Sequence, residues 1–224
     1  MKVLGTPQLN NQIHINRINQ ILDFNKTNRS FDEEYFAKTL SADMRVLDIG
    51  KSLREKTEFV KNRVLSLETL DINVFQDYPD IQMDLCQKIE IPQNFRYDII
   101  YCFSLLEHCY NPFNAAENLF TLLKPNSKII GSVPFLFPHH CPEDLSYQDY
   151  FRFTKDSFTT LFPNARKIIV SPHRGRVGAG LNIISQRYKD FLEKRFSCIT
   201  RFLNRIDQSR RPQQSSGFDF EIQN

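Results

Sequence analysis

Tryptophan is absent from this sequence and glycine is scarce, with seven glycines among 224 residues. Because glycine turns tightly and lets the backbone approach a ligand, few positions can form such a turn. An excess of one charge is also lacking, since the net charge is +3, and nothing in it indicates a nucleic-acid partner. The most apolar stretches, such as 128–138, are far shorter than the roughly 20 residues that cross a bilayer, so we expect no integral membrane association.

Paired cysteines are missing as well. The five cysteines are scattered, and none belongs to a Cys-x-x-Cys pair. This distribution favours reduced thiols and gives no sign of a structural zinc site. The adjacent His139 and His140 are too weak a signal for a metal on their own, so we expect no metal. Residues 1–25 lack the apolar core of a signal peptide, and we expect a cytoplasmic protein.

What the sequence does contain is an alternation of strand-like and helix-like segments from about residue 45 to residue 186. Short apolar runs at 45–49, 64–70, 97–103 and 127–133 suit strands that are buried on both faces. Helical stretches separate these runs. This is the pattern of an α/β fold with a largely parallel sheet.

Four parts of the chain follow from this pattern. Residues 1–44 are predicted to form a helical extension, and residues 45–186 the main domain, which ends in a strand at 181–185. Over 187–207, apolar residues recur every three or four positions, which predicts an amphipathic helix with a basic opposite face. Residues 208–224 are polar and are expected to be a flexible tail.

Acidic residues lie at the ends of two predicted strands. Asp48 precedes Gly50 at the end of the first strand, and Asp71 ends the next one. A strand, a glycine and a helix in this order bring a nucleoside ligand to the carboxyl end of a parallel strand. A carboxylate on the second strand can accept hydrogen bonds from both ribose hydroxyls. Acidic residues also end many strands because loops are solvated, so this pair alone leaves both interpretations open.

A third element narrows the interpretation. The strand at 97–103 runs into a Leu-Glu-His sequence that ends at His108, and a helix, a Leu-Lys-Pro turn and the strand at 127–133 follow. In this order and spacing, residues 45–186 resemble the class I S-adenosylmethionine-dependent methyltransferases. The resemblance implies a Rossmann-like fold: a seven-stranded, mostly parallel sheet with helices on both faces and an antiparallel last strand.

The same resemblance implies S-adenosylmethionine as the cofactor. The implied cofactor-binding residues are Asp48, Gly50, Asp71, Asp84, Leu85 and Ser104. The resemblance assigns Asp48 and Gly50 to the amino-acid end of the cofactor and Asp71 to its ribose. It assigns the Asp84-Leu85 pair to the adenine, and it places Ser104 where cofactor and acceptor meet. The Asp-Leu pair aligns loosely, and a solvated loop aspartate explains it nearly as well.

Segment 133–154 carries a narrower resemblance, to a branch with Pro-Phe, His and Asp-Tyr-Trp-Arg-Phe-Thr after this strand. Phe151 replaces the tryptophan here. Members of that branch are often associated with glycan and cell-surface polysaccharide synthesis, which implies O-methylation of a sugar or other small acceptor. The implied acceptor-side residues are His139, Asp149, Tyr150 and Arg152, with His140 as the candidate general base. In the alternative interpretation, the arginine pairs with the aspartate and holds the loop.

The sequence departs from the family at the cofactor loop. The family pattern is Asp-x-Gly-x-Gly-x-Gly, and Ser52 and Arg54 stand at the second and third glycine positions. We expect their side chains to narrow the cofactor site, which favours a second hypothesis: a non-catalytic methyltransferase-like module that acts through partner binding. A nicotinamide-dependent oxidoreductase is disfavoured because Gly-x-Gly-x-x-Gly is absent. We expect a small-molecule or glycan acceptor and no nucleic acid, and a homo-oligomer stays open.

Overall fold

One mixed sheet forms the centre of the protein. The computed structural model describes residues 7–24, 33–90, 92, 95–141, 147–173, 179–180, 191, 194–198, 202 and 215–224. Within these residues the sheet has eight strands, in the order β1-β7-β8-β6-β5-β2-β3-β4. The strands are β1 Leu22–Phe24, β2 Arg45–Ile49, β3 Ser66–Asp71, β4 Ile81–Gln82, β5 Tyr97–Phe103, β6 Leu123–Pro134, β7 Lys167–Pro172 and β8 Gly217–Gln223.

Parallel pairing brings the functional ends of the strands together. β2 pairs in parallel with β3 on one side and β5 on the other, so that Asp48 lies opposite both Thr69 and Tyr101. The carboxyl ends of these three strands therefore meet at one edge of the sheet. β8 alone among the described strands runs antiparallel, between β6 and β7. The predicted Rossmann-like sheet with an antiparallel last strand is confirmed.

Helices pack on both faces of the sheet, as predicted. The described α-helices are α1 Pro7–Ile21, α2 Glu33–Thr39, α3 Thr57–Lys61, α4 Pro112–Thr121 and α5 Ser157–Leu161. On one face, Ala115, Leu119 and Phe158 of α4 and α5 belong to the larger core. On the other face, Phe36 of α2 and Val60 of α3 belong to a second core. Among the described residues, no helix is both long and apolar enough to span a membrane.

The antiparallel strand comes from an unexpected part of the chain. The predicted strand at 181–185 lies outside the described residues, whereas 217–223 form β8 in the middle of the sheet. The prediction of a flexible tail is therefore wrong for these residues. The sequence looks polar because Asp219 and Glu221 alternate with apolar residues, yet both carboxylates are buried with the strand.

The amino-terminal extension also contributes to the sheet. Its residues 22–24 form β1, which pairs in parallel with β7 at the sheet edge and gives one strand more than the seven predicted. The boundary predicted at residue 45 therefore does not separate the extension from the sheet.

The predicted amphipathic helix over 187–207 falls largely outside the described residues.

Candidate functional site

A cavity opens where β2, β3 and β5 end. Among the residues that line this first cavity are Gly50, Asp71, Asp84, Leu85, Ser104 and Tyr150. The first five are candidates that the sequence assigned to the cofactor. The parallel register of the three strands explains their proximity, because each residue lies at or just beyond a carboxyl end of the sheet or in a loop above it.

The turn after β2 contains one glycine and has left-handed backbone at three positions. Gly50 has a φ of +66°, and Lys51 and Arg54 follow with φ of 52° and 51°, in the left-handed region that glycine normally occupies. Ser52 donates a hydrogen bond to the carbonyl of Ile49 and accepts one of 2.9 Å from the backbone N–H of Phe103. The serine side chain therefore joins β2 to β5 and does not line the first cavity.

Lys51, which follows Gly50, carries a positive charge close to the predicted cofactor position. Its Nζ lies 4.3 Å from the centre of the Tyr78 ring and 5.6 Å from that of Phe75. A cation over an aromatic face is attracted to the negative face of the ring. This contact directs the ammonium group towards the two rings, and Lys51 does not line the first cavity.

Asp48 lies in β2, just before this turn, and is 1% exposed. Its carboxylate accepts hydrogen bonds from the backbone N–H of Leu53 at 3.2 and 3.4 Å. Burial raises the pKa of Asp48 to about 7, although the backbone hydrogen bonds oppose this rise. Asp48 does not line the first cavity. It holds the turn that carries Gly50.

Asp71 lines the cavity and is already oriented by its neighbours. One carboxylate oxygen accepts from the backbone N–H of Asn73 at 2.9 Å, and the other accepts from the Tyr78 hydroxyl at 2.9 Å. The Asn73 side-chain amide donates a longer hydrogen bond of 3.4 Å to the first of these oxygens. An ionised carboxylate has about four lone-pair positions, so these bonds leave acceptor capacity for one further donor, such as a ribose hydroxyl.

The Asp84-Leu85 pair is fixed from two sides. Asp84 accepts hydrogen bonds from the backbone N–H of Cys86 at 2.9 Å and from the Tyr110 hydroxyl at 3.0 Å. Asn118, on α4, donates a hydrogen bond of 2.9 Å to the carbonyl of Leu85. The loop that carries the pair is thereby tied to the helix that packs against it.

Two thiols complete this wall of the first cavity. Cys86 and Cys109 both line it, and both are free. The hydrogen bond from the Cys109 thiol lowers the pKa of Cys86 to about 7, against the effect of burial. The same pairing, followed by burial, raises the pKa of Cys109.

A second cavity adjoins the first on the side of β6. It has a volume of about 640 Å³ and is lined by residues that include Ser132, Pro134, Phe137, His140 and His173. Gly50, Ser104, His108 and Tyr147 line both cavities. These shared residues mark the place where the two cavities meet, and Ser104 holds a left-handed backbone there with a φ of 52°.

The loop after β6 is organised around a buried carboxylate. The Asp149 side chain is fully buried, pairs with the Arg152 guanidinium and accepts a 2.9 Å hydrogen bond from the backbone N–H of His140. Although burial opposes it, the bonds from Arg152 and His140 lower the pKa of Asp149. Arg152 also donates to the carbonyls of Phe137 and Pro138.

The acceptor-side candidates thus separate into different surroundings. His140 lines the second cavity and Tyr150 lines the first, whereas His139, Asp149 and Arg152 line neither. The contacts of Arg152 match the interpretation in which the Asp149-Arg152 pair holds the loop. His139 is exposed.

His140 stands between two carboxylates. Its Nε2 lies 3.6 Å from Glu107 Oε1, and its Nδ1 lies 3.3 Å from both Asp149 Oδ2 and the carbonyl oxygen of Pro138. The Glu107 carboxylate, followed by that of Asp149, raises the pKa of His140, although burial opposes the rise. Both ring nitrogens therefore face oxygen atoms of the protein.

Glu107 and His108 belong to the Leu-Glu-His sequence that carries part of the family resemblance. Their Leu-Glu-His sequence forms a short 3-10 helix after β5, with Glu107 pointing inwards. His108 lines both cavities, and its Nδ1 lies 2.9 Å from the carbonyl oxygen of Gln148. The ring centre of Tyr147 lies 4.7 Å from that of His108, and Tyr147 also lines both cavities.

Comparison with known proteins adds a family and a fold. A family described as a methyltransferase domain matches residues 25–166. A SAM-dependent methyltransferase from Archaeoglobus fulgidus has a TM-score of 0.51 at 14% identity, over 85% of this chain and 90% of that one. One from Mesorhizobium loti has a TM-score of 0.50 at 10% identity, over 87% and 99%.

A third solved structure contains ligands. It is Haemonchus contortus phosphoethanolamine N-methyltransferase 2 in complex with phosphomonomethylethanolamine and S-adenosylhomocysteine. Its TM-score is 0.50 at 12% identity, over 85% of this chain and 51% of that one. A search of curated proteins gives no match to this sequence. At these identities the solved structures show a shared fold.

Proposed function

The chain belongs to the methyltransferase-domain family, which it matches over residues 25–166, and from this premise we propose its activity. The protein transfers a methyl group from S-adenosylmethionine to a hydroxyl of a sugar or another small acceptor. The family match supports methyl transfer. The branch resemblance of segment 133–154 supports the sugar-like acceptor and an association with glycan synthesis.

The observation that carries the proposal is the composition of the first cavity. Gly50 stands at its strand end and is exposed, Asp71 offers acceptor capacity for a ribose hydroxyl, and Asp84 and Leu85 line the same cavity. These are the residues that the family resemblance assigns to the amino-acid end, the ribose and the adenine of the cofactor. Asp48 contributes from below by holding the turn at Leu53.

The second cavity is the proposed acceptor site. Its lining mixes hydroxyl, imidazole and aromatic groups with the cationic side chains of Lys51 and Arg54, and the first three suit a hydroxylated acceptor that both hydrogen-bonds and stacks. Ser104 and His108 lie where the cavities meet, so the reacting hydroxyl and the methyl group are brought together there. His140, in the wall of the second cavity, is the residue proposed to act at that hydroxyl.

The chemistry asks mainly for alignment. When bound, S-adenosylmethionine supplies an already activated methyl group. The protein's contribution is to hold the acceptor oxygen in line with that group and to exclude water. The loop fixed by Asp149 and Arg152 forms one wall of the acceptor site through Phe137 and His140. The free thiols of the chain fit the reducing cytoplasm, where we propose that it works.

Calorimetric titration of the purified protein with S-adenosylmethionine tests the cofactor site. We expect binding in wild type and at least about tenfold weaker binding in Asp71→Ala, because a hydrogen bond to a charged group contributes roughly 1.5–3 kcal/mol. Asp77→Ala, which removes an exposed carboxylate in the same loop, is the control and is expected to bind as wild type does.

Turnover is measured as S-adenosylhomocysteine released with a panel of hydroxylated sugars, sugar nucleotides and small alcohols. Release that depends on one acceptor class supports the proposal and names the class. If wild type fails to bind S-adenosylmethionine at millimolar concentration, the non-catalytic module replaces the enzyme as the interpretation. Transfer confined to an amine acceptor overturns the assignment to oxygen.

A further inference from the structure

A buried carboxylate next to the second cavity has no hydrogen-bond partner. Glu107 is 0% exposed, and among the described residues neither of its carboxylate oxygens accepts a hydrogen bond. Leaving a buried polar group unpaired costs free energy, and a buried charge costs far more unless an opposite charge or a metal ion accompanies it. A cation beside this carboxylate would offset that cost.

Two imidazoles face this carboxylate. Nε2 of His140 lies 3.6 Å and Nε2 of His108 3.9 Å from Glu107 Oε1. The three side chains each offer one ligand atom, and these atoms all lie within 4.8 Å of one another. Two imidazole nitrogens and one carboxylate oxygen are a donor set that binds first-row divalent ions.

The outward nitrogens of both imidazoles are held by protein oxygens. Nδ1 of His108 lies 2.9 Å from the carbonyl oxygen of Gln148, and Nδ1 of His140 lies 3.3 Å from that of Pro138, beside Asp149. A ring that donates Nδ1–H to a carbonyl presents the lone pair of Nε2 on its other side. Metal-binding histidines are oriented by this kind of outer contact.

We propose that Glu107, His108 and His140 bind a divalent transition-metal ion, with Zn²⁺ as the ion that this ligand set fits best. Ligand bonds of about 2.0–2.2 Å in a tetrahedral site place ligand atoms roughly 3.4 Å apart. The two separations from Glu107 Oε1 exceed this value by a few tenths of an ångström, a distance that side-chain rotation covers. The sequence led us to expect no metal, because the helical turn that carries Glu107 and the loop that carries His140 are separate in the chain.

The site would leave a ligand position open. His108 and His140 both line the second cavity, so a fourth ligand would come from that side as water or as an acceptor oxygen. Three protein ligands and one exchangeable position are the arrangement of catalytic rather than structural zinc sites. A role of the ion towards the acceptor rests on the proposed function, whereas ion binding itself does not. An ion on Nε2 of His140 takes the lone pair that a general base needs, so in the ion-bound form this imidazole does not act as the base at the acceptor hydroxyl.

The competing occupant of the cluster is a proton. With His140 protonated, the Glu107-His140 pair balances its own charge, and the raised pKa of His140 is consistent with that state. The two occupants are separated by direct metal binding. A proton-filled cluster gives no stoichiometric ion, whereas the proposed site gives one ion per chain.

The test uses the full chain, from which any affinity tag has been removed and which has then been treated with a chelator. Co²⁺ and then Zn²⁺ are titrated in, with ion content measured by elemental analysis and Co²⁺ followed by its visible absorption. We expect one ion per chain and at least about tenfold weaker binding in Glu107→Gln and in His140→Asn. The second variant changes a partly exposed side chain, so it tests the site even if the first fails to fold. His14→Asn, which removes an exposed histidine of α1, is the matched control.

Wild-type affinity for Co²⁺ in His140→Asn, or no stoichiometric ion in wild type, overturns the metal site. S-adenosylmethionine binding is measured in parallel on each variant. Retained cofactor binding together with lost metal binding supports the site, and absent metal binding with intact cofactor binding rejects this inference alone. Failure of the proposed function would instead appear as absent cofactor binding in wild type.

Discussion

Asp48 is an ionisable residue in a buried position. Its carboxylate serves the backbone of the turn through Leu53, and the burial that makes this contact rigid also raises its pKa to about 7. In the unfolded chain the pKa of an aspartate is about 3.9. The folded state therefore binds a proton more tightly than the unfolded state does.

This difference predicts how stability depends on pH. Below about pH 4 the group is protonated in both states, and between about pH 4 and 7 the unfolded state loses its proton first, so stability falls as pH rises. Asp48→Asn removes this loss while keeping an acceptor for Leu53. At pH 8 we expect it to raise the free energy of unfolding, by as much as about 4 kcal/mol for a shift of three pKa units.

Urea unfolding from pH 4.5 to 8 measures the effect. The gap between variant and wild type should widen with pH and level off above neutrality, and Asp77→Asn, an exposed carboxylate, should show no such trend. A variant that is less stable than wild type at pH 8 would show that the charged carboxylate stabilises the fold.

At the residue scale, the sequence predicted the placement of strand-end residues better than that of loop residues. Gly50, Asp71 and Ser104 follow strand ends, and parallel pairing carries them to one edge whatever the intervening loops do. For the loop after β6 the sequence offered the Asp149-Arg152 pair as one of two interpretations, but no local pattern indicates that the Asp149 side chain is buried.

The turn from Gly50 to Arg54 is the element that most distinguishes this chain from the family pattern. Two non-glycine residues hold left-handed backbone in it, and a serine hydroxyl joins its base to two strands. The missing glycines suggested a narrowed cavity. Because side-chain direction follows from backbone geometry, the sequence alone did not reveal that Ser52 and Arg54 line the second cavity and not the first.

Arg54 holds an exposed left-handed position, which costs roughly 1–2 kcal/mol for a residue with a Cβ. Glycine removes that cost, but it loses more conformational entropy on folding, which costs roughly 0.5–1 kcal/mol. Arg54→Gly is therefore expected to raise the melting temperature slightly without weakening S-adenosylmethionine binding. Lys61→Gly, at an exposed position of α3, is the control and should lower it.

Calorimetric melting curves and cofactor titrations compare the two variants. A clear loss of stability in Arg54→Gly would mean that the arginine side chain holds the turn through contacts that outweigh the backbone cost. A loss of cofactor affinity alone would place its guanidinium within reach of the cofactor.

On the scale of the whole molecule, β8 holds the sheet together. It bonds to β6 on one side and β7 on the other, and Phe218, Phe220 and Ile222 of this strand belong to the larger core. The Phe220 ring centre lies 4.6 Å from that of Phe158 on α5. A strand in the middle of the sheet thus also anchors the helix layer.

Phe220→Ala is expected to lower the free energy of unfolding by about 3–5 kcal/mol, because it opens a cavity between the sheet and α5. Phe113→Ala, on the exposed side of α4 where the side chain is 57% exposed, should change it by no more than about 0.5 kcal/mol. Denaturant unfolding of both variants measures the difference. Equal effects would indicate that β8 is not packed in the core.

The overall fold was predictable because β2 and β5 are apolar runs whose boundaries the sequence marks, and both predicted ranges are confirmed. β8 was not predictable for the opposite reason. Its Asp219 and Glu221 give it the local pattern of a polar, half-exposed segment, and only pairing with β6 and β7, whose paired residues lie 46 to 95 positions earlier in the chain, buries it. Sequence patterns report local preference, whereas this strand owes its place to distant partners.

The position of β8 also sets an order for folding during synthesis. A ribosome adds about 5–20 residues per second, so the 82 residues between Pro134 and Gly217 take roughly 4 to 16 seconds to follow β6 out of the exit tunnel. Throughout that interval the outer edge of β6 has no strand beside it, and β7 with β1 has nothing through which to join the sheet. An open strand edge is a template for pairing with other chains. The nascent protein is therefore expected to be most prone to aggregation just before its last strand is made.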